Sequence, residues 1–266
     1  MRIFVTGASG WIGSAVVPEL ISAGHQVLGL ARSDVSARAV TDMGAEALRG
    51  DLNDSDVLRA GTLDSDGVIH LAFVVPSMSE AATETDAKAI ETFVTGLAGT
   101  GKPLVISGAT LVTPGRPWTE RDELIAAGPN AARITNMQTA LAAADRGVRS
   151  SLVMLPRSVH GQGERHGFVP QLIAAARAKG VSGYIGDGNS RWPAVHVKDA
   201  ARLYRLAIGQ APAATVLNAV GEEGVPVREI AEAIGRQLNL PARSGHVPAS
   251  GVSACEARCP RVNLLI

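Results

Sequence analysis

Cysteine is scarce in this chain. The two cysteines, Cys255 and Cys259, stand four positions apart near the end of 266 residues. Two thiols exclude a disulfide framework, and no His or further Cys nearby completes a metal site around them. A reducing, cytoplasmic setting is the expectation for such a composition. An excess of one charge is also missing, since 25 Lys and Arg balance 25 Asp and Glu. A net charge of zero gives no electrostatic reason to expect nucleic acid or an anionic membrane as partner. No apolar run approaches the roughly 20 residues that cross a bilayer. The first residues carry one arginine and a short apolar run, too brief for the apolar core of a secretory signal. Tyrosine is as rare as cysteine: Tyr184 and Tyr204 are the only two. What remains, 46% hydrophobic and 19% charged residues, is an ordinary globular composition. The length suits one large domain or two small ones.

Short apolar runs alternate with alanine-rich helical stretches. Strands are expected at Arg2–Thr6, Gln26–Ala31, Ala45–Leu48, Gly67–Ala72, Pro103–Ser107 and Ser151–Leu155. Helices are expected at Trp11–Ala23, Val35–Met43, near Asp54–Ala60, at Thr85–Leu97 and at Asn130–Arg146. The last of these carries an apolar stripe of Ile134, Met137, Leu141 and Ala144. Strands alternating with helices imply right-handed βαβ units, hence an α/β class with a parallel sheet covered on both faces. After Pro156 the pattern loosens. Helices at Val169–Lys179, Asp199–Ile208 and Pro226–Leu238 suggest a smaller lobe. From Pro241 the chain is rich in Gly, Pro and Ser without a sustained period, and it reads as an irregular tail.

The first strand runs straight into GASGWIG, with Gly7, Gly10 and Gly13 three apart at the start of a helix. That context suits a nucleotide cradle. Glycine permits the turn, lets backbone N–H groups approach a pyrophosphate, and allows helix and strand to pack closely. The spacing is G-x-x-G-x-x-G, and the bland alternative is a tight turn. The second strand ends in LGLARSD. Arg32 and Ser33 stand where an acid would meet a ribose 2′-hydroxyl, and a guanidinium there suits a 2′-phosphate. This favours NADP, while Asp34 keeps NAD open. Asp51, after the third strand, has the choice of an adenine amino group or a turn or cap.

The order GASGWIG, ARS, GDL at Gly50–Leu52, VIHLA at Val68–Ala72 and LVISGAT at Leu104–Thr110 resembles the extended short-chain dehydrogenase/reductases, the NAD-dependent epimerase/dehydratase superfamily. LPRSVHGQG at Leu155–Gly163 and GDGNSRWPAVHVKDAARLY at Gly186–Tyr204 agree with it. The resemblance covers about residues 1–240. It implies a Rossmann-type doubly wound parallel sheet over 1–155, a small substrate lobe over 156–240 and the tail over 241–266. Carried over by position, Gly7, Ser9, Gly10, Trp11, Ile12, Gly13, Arg32, Ser33, Asp51, Leu52, Leu71, Ala72, Pro156 and Ser158 would line the cofactor. The family also implies a homodimer formed through the helices at Thr85–Leu97 and Asn130–Arg146.

The catalytic pattern departs from the family's. Its chemistry rests on a Tyr with a Lys four residues later, the lysine lowering the phenol's pKa. Here Gly188 follows Tyr184 at that spacing and Ile208 follows Tyr204. By position, Pro129 replaces the Tyr and Arg133 the Lys. Arg133 can hold a nicotinamide ribose but cannot donate a proton near neutral pH. Ser107 and Thr110 are candidate substrate-orienting hydroxyls, and His160 is a candidate acid, each set against an ordinary structural role. His166 reads as a surface residue. Arg191 is weighed as a partner for an anionic substrate, Trp192 as lobe core, His70 and His196 as structural histidines, and Asp199 as a helix N-cap. The expected function is NADP-dependent reduction of a small molecule. The alternatives are a nucleotide-binding sensor that has lost catalysis and a sugar-nucleotide epimerase or dehydratase.

Overall fold

A computed structural model describes residues 1–73, 79–111 and 116–245 of the chain. They divide into two units: Met1–Glu164 with Pro193–Glu222, and Arg165–Trp192 with the part of Glu223–Ile266 that is described.

The first unit is built around seven parallel strands. In chain order it contains β1 (Arg2–Thr6), α1 (Gly13–Ser22), β2 (Gln26–Ala31), α2 (Asp34–Asp42), β3 (Glu46–Arg49), α3 (Ser55–Leu63), β4 (Gly67–His70), α4 (Glu80–Leu97) and β5 (Pro103–Ala109). Then come α5 (Ala131–Ala142), β6 (Arg149–Leu155) and β7 (Ser158–His160). The sheet order is β10-β6-β5-β4-β1-β2-β3, where β10 is Thr215–Asn218. The order reverses direction at β1 and β4, the place where open parallel sheets leave a crevice beyond their strand ends.

Apolar side chains leave both faces of this sheet. Ile3, Val5, Ile69 and Val105 point to one side, against Val16, Val17 and Leu20 of α1. Phe4, Val68, Leu104 and Ile106 point to the other, against Ile90, Phe93 and Val94 of α4 and Met137 of α5. Alternate residues of one strand therefore serve two cores, as the period of two requires. Among the described residues no helix is long and apolar enough to cross a membrane.

The strand β9 (Arg191–His196) pairs in parallel with β7, matching His160 to His196. Helix α7 (Val197–Gln210) follows and covers the α1 face through Ala200, Ala201 and Tyr204. In the second unit, α6 (Phe168–Lys179), β8 (Ser182–Ile185) and α8 (Val227–Leu238) lie beside β12 (Ala242–Gly245). The connecting strand β11 is Glu222–Pro226.

Several expectations need correction. The helix expected at Asn130–Arg146 ends at Ala142 and tightens into a 3-10 turn over Ala143–Arg146, closed by left-handed Gly147 (φ 72°). Strand β10 was not expected; its four residues TVLN follow a Pro/Ala-rich stretch that shows no alternation. His196 is the N-cap of α7, its Nδ1 accepting from the Lys198 amide at 3.3 Å, so Asp199 lies inside the first turn instead of capping it. The segment expected to be irregular from Pro241 begins with a strand. β12 pairs in parallel with β8 through its backbone, which needs no apolar period. The rest of that tail, with Cys255, Cys259, Val262, Leu264, Leu265 and Ile266, lies outside the described residues.

Candidate functional site

The three glycines at the end of β1 do three different jobs. Gly7 turns the chain with φ +69°, and a Cβ there would stand 2.8 Å from the Ala72 amide nitrogen. Gly13 opens α1 against the turn itself, where a Cβ would come within 2.5 Å of the Ala8 carbonyl oxygen. Gly10 is less crowded: its Cβ position makes one close contact, the Gly7 oxygen at 3.2 Å, with no other atom of the described residues within 4 Å. The turn is closed by Gly10 N–H donating to Gly7 O at 2.9 Å and Ser14 N–H to Gly10 O at 2.8 Å. The amides of Trp11 and Ile12 find no acceptor among the described residues. Free N–H groups at a helix start carry partial positive charge and make an anion site. Ser9 is exposed beside them. Loop and glycines together fit a pyrophosphate.

At the neighbouring strand tips the expected adenosine residues are exposed. Arg32 has no partner among the described residues, and Ser33 is the N-cap of α2, its hydroxyl accepting from the Ser36 amide at 3.2 Å. Asp34 pairs with Arg49 at the end of β3, 3.3 Å away. Asp51 accepts from the Asn53 amide at 2.7 Å, which makes it a turn residue, while Asp54 caps α3. Leu52 packs on the core beneath.

Below the cradle runs a chain of buried polar side chains. Thr6 Oγ1 and His70 Nδ1 are 2.6 Å apart, His70 Nε2 and Asp86 Oδ1 3.1 Å, and Asn136 Nδ2 donates to Asp86 Oδ2 at 2.7 Å. None of the four is more than 7% exposed. Thr6 Oγ1 also accepts from the Ala72 amide at 3.3 Å, and Leu71 N–H donates to Thr6 O. Burial alone would raise the Asp86 carboxyl. The bond from His70, with the nearby positive charge and Asn136, outweighs it, and the group lies below the usual carboxylate range.

Arg133 enters this region from the first turn of α5. Its Nη2 donates to Ser107 O at 3.2 Å, and the guanidinium carbon sits 3.6 Å from the centre of the Phe73 ring. Its Nη1 is buried with no partner among the described residues. Burial lowers its pKa, with the Asp86 charge opposing the shift, yet a guanidinium stays charged near neutrality. A buried, unpartnered, cationic donor fits a ribose hydroxyl.

Ser107 is fully engaged. Its hydroxyl donates to His70 O at 3.0 Å, so the Tyr204 hydroxyl, 2.7 Å away, donates to Ser107. Tyr204 is fully buried, and burial pushes its phenol above the ordinary tyrosine range, which makes it a weaker acid. Thr110 follows β5, its amide donating to Leu155 O at 2.9 Å. Its hydroxyl has no partner among the described residues.

On the other rim, Pro156 follows β6 and Ser158 is buried at the start of β7. Trp11 Nε1–H donates to Val159 O at 2.7 Å, tying the glycine loop to β7. His160, two-fifths exposed, stands 3.8 Å from Glu222 and edge-on to His196 at 5.5 Å. Its described contacts are with these two and not with Ser107, Thr110 or Arg133. In the second unit Arg191 donates to Gly224 O at 2.8 Å and Trp192 stacks edge-on with Phe168 at 6.0 Å.

Sequence reasoning missed Asp86 and Asn136. The signal was present: Asp86 shares the buried helical spacing of Ala82, Ala89, Ile90 and Phe93, and Asn136 adjoins Met137 on the buried face of α5. A polar residue at a core position of an amphipathic helix calls for a partner.

A profile of the NAD dependent epimerase/dehydratase family matches residues 3–219. A Saccharomyces cerevisiae protein titled "Uncharacterized protein YLL056C" is 44% identical over 248 residues, 92% of this chain and 83% of the relative. The 4-hydroxy-2-methyl-3-oxo-4-farnesyl-3,4-dihydroquinoline-1-oxide ketoreductase of Stigmatella aurantiaca is 26% identical over 269 residues, 96% of this chain and 78% of the relative. Among solved structures, a double mutant of the dTDP-glucose 4,6-dehydratase DesIV from Streptomyces venezuelae, with NAD and DAU bound, superposes with a TM-score of 0.76. It is 19% identical and covers 93% of this chain and 85% of its own.

Proposed function

The chain belongs to the NAD-dependent epimerase/dehydratase family, and from that premise we propose that it is an NADP-dependent oxidoreductase that reduces a carbonyl of a small molecule without the Tyr-x-x-x-Lys pair. The observation that carries the reading is Arg133, whose buried Nη1 has no partner among the described residues.

The residues take the following parts. The amides of Trp11 and Ile12 hold the pyrophosphate, and Gly10 leaves it room. Arg32 meets the 2′-phosphate, with Ser33 and Asp51 beside the adenosine. Arg133 Nη1 donates to the nicotinamide ribose, and Phe73 fixes the guanidinium plane. Bound NADPH supplies the hydride. A carbonyl reduced in this way would need a proton at its oxygen. The Thr110 hydroxyl orients this oxygen, and His160, with Glu222 beside it, delivers the proton directly or through water. Ser107 supports the site from behind, because its own hydroxyl is committed to His70 O.

NADPH consumption across a panel of ketones and aldehydes tests the proposal. Turnover that falls at least about tenfold in Thr110→Ala and His160→Ala, the lower range of a general acid's contribution, supports these roles. Tight NADPH binding with no turnover on any substrate would favour the second reading, a nucleotide-responsive binding protein. The observation behind it is that Tyr204 is fully buried with its hydroxyl committed to Ser107, while the only other tyrosine, Tyr184, lacks a Lys four residues later.

A further inference from the structure

We infer that Asp86 is a positioning residue for the nicotinamide half of the cofactor, acting on Arg133 through Asn136 and through its own charge. The inference rests on the cofactor reading above and adds a residue to it.

The argument starts from hydrogen accounting. An ionised Asp86 only accepts, so His70 Nε2 carries a hydrogen toward Oδ1 and Asn136 Nδ2 carries one toward Oδ2. His70 Nδ1 then accepts from the Thr6 hydroxyl, and Thr6 Oγ1 is left to accept from the Ala72 amide. Every hydrogen in the chain then has an acceptor. With its pKa held below the usual carboxylate range by these bonds, Asp86 carries its negative charge in the interior, 5% exposed. Two helices supply its surroundings: α4 carries it, and α5 carries both Asn136 and, one turn earlier, Arg133. Asn136 Nδ2 also donates to Thr83 O of α4 at 2.9 Å, so this single amide pins α5 to α4 at two points.

Arg133 has the opposite problem. Its charge is desolvated, yet among the described residues no carboxylate touches it: its contacts there are Ser107 O and the Phe73 ring. A buried cation with only a carbonyl and a ring face is stabilised by a nearby anion, and the Asp86 charge acts on it in this way. Asp86 does not bond to Arg133 and so leaves Nη1 free for a ligand. A direct ion pair would occupy the donor that the ribose needs. The arrangement balances the charge at a distance and keeps the hydrogen-bonding site open.

The test measures affinity for two probes, NADPH and 2′,5′-ADP, which is the adenosine half alone. Asp86→Asn is nearly isosteric, and a changed His70 tautomer lets the new amide keep both bonds. NADPH affinity should fall about tenfold in Asp86→Asn, a size ordinary for coupled residues in one buried network. Affinity for 2′,5′-ADP should stay within about twofold, because among the described residues neither the Arg32 side chain nor the amides of Trp11 and Ile12 bond to a member of that network. In an Arg133→Met background, Asp86→Asn should cause no further loss. Equal losses for both probes, or additive losses in the double variant, would make Asp86 a general packing residue and overturn the inference. So would unchanged NADPH affinity in Asp86→Asn beside a clear loss in Arg133→Met. Should Asp86→Asn fail to fold, Asn136→Ala probes the same linkage from α5, with the same selective loss expected and an unselective one overturning it. A wild-type protein that binds neither NADPH nor NADH would instead sink the cofactor reading itself.

Discussion

Gly10 and Gly13 lie three residues apart in one motif, yet the same added methyl should break different properties at each. At Gly13 a Cβ would stand 2.5 Å from the Ala8 oxygen and 2.7 Å from the Ala8 carbonyl carbon. Both are backbone atoms of a turn tied to β1, so the helix has to lift by something near an ångström. Val16, Val17 and Leu20 beneath α1 are all 0% exposed, and lifting them opens the core. Overpacking of this kind costs roughly 1–3 kcal/mol. At about 2–4 °C per kcal/mol, Gly13→Ala should lower the melting temperature by several degrees, up to about 12 °C. At Gly10 the methyl meets only the Gly7 oxygen at 3.2 Å, and φ is not left-handed. Stability should move by less than about 1 kcal/mol in either direction. The methyl does fill the space over the free amides. Losing one hydrogen bond to a charged phosphate costs about 1.5–3 kcal/mol, or roughly ten- to a hundredfold in affinity. Thermal melts without cofactor, followed by NADPH titration, measure both quantities. A Gly10→Ala protein that binds as wild type, or a Gly13→Ala protein that melts as wild type, would refute the division of labour.

Arg32→Asp should reverse or flatten a preference for NADPH over NADH; equal wild-type dissociation constants for the two would end the argument from the β2 tip. Folding depresses the Asp86 pKa, so its contribution to stability is present above the unfolded value of about 4 and is lost as pH falls through the lower folded value. Stability measured against pH should accordingly show a shallower acid limb in Asp86→Asn than in wild type, and parallel limbs would count against it. A homodimer through α4 and α5 is expected, and sedimentation at the mass of a single chain would exclude it.

The sheet was legible because its strands are short apolar runs punctuated by turns, and the six from β1 to β6 were all placed. β10 escaped because its TVLN follows a Pro/Ala-rich stretch that shows no alternation. β12 escaped for a different reason: ARSG enters a sheet through backbone pairing with β8, and its side chains carry no record of that. The phosphate cradle was legible because its demands are local, three glycines within seven residues. The polar chain from Thr6 to Asn136 was not. Its members lie on β1, β4, α4 and α5, and the bond between Asp86 and Asn136 joins residues 50 apart in sequence. Only the parallel register that sets Thr6 opposite His70 and the packing of α5 on α4 bring them together. Arg133 was found by its place in a family pattern, but its unpartnered Nη1 is a property of burial.

Trp11 gives the protein a built-in optical reporter. Its indole is half-buried in the glycine loop, and the bond from Nε1 to Val159 O holds the ring in one orientation. Tryptophan emits at wavelengths that reduced nicotinamide absorbs, so a nucleotide seated on the amides of Trp11 and Ile12 would drain that emission. The chain has three tryptophans, so the difference between wild type and Trp11→Phe isolates the share of the quenching that comes from Trp11. The side chain that fastens the loop to β7 thus makes occupancy of the cradle visible without any label.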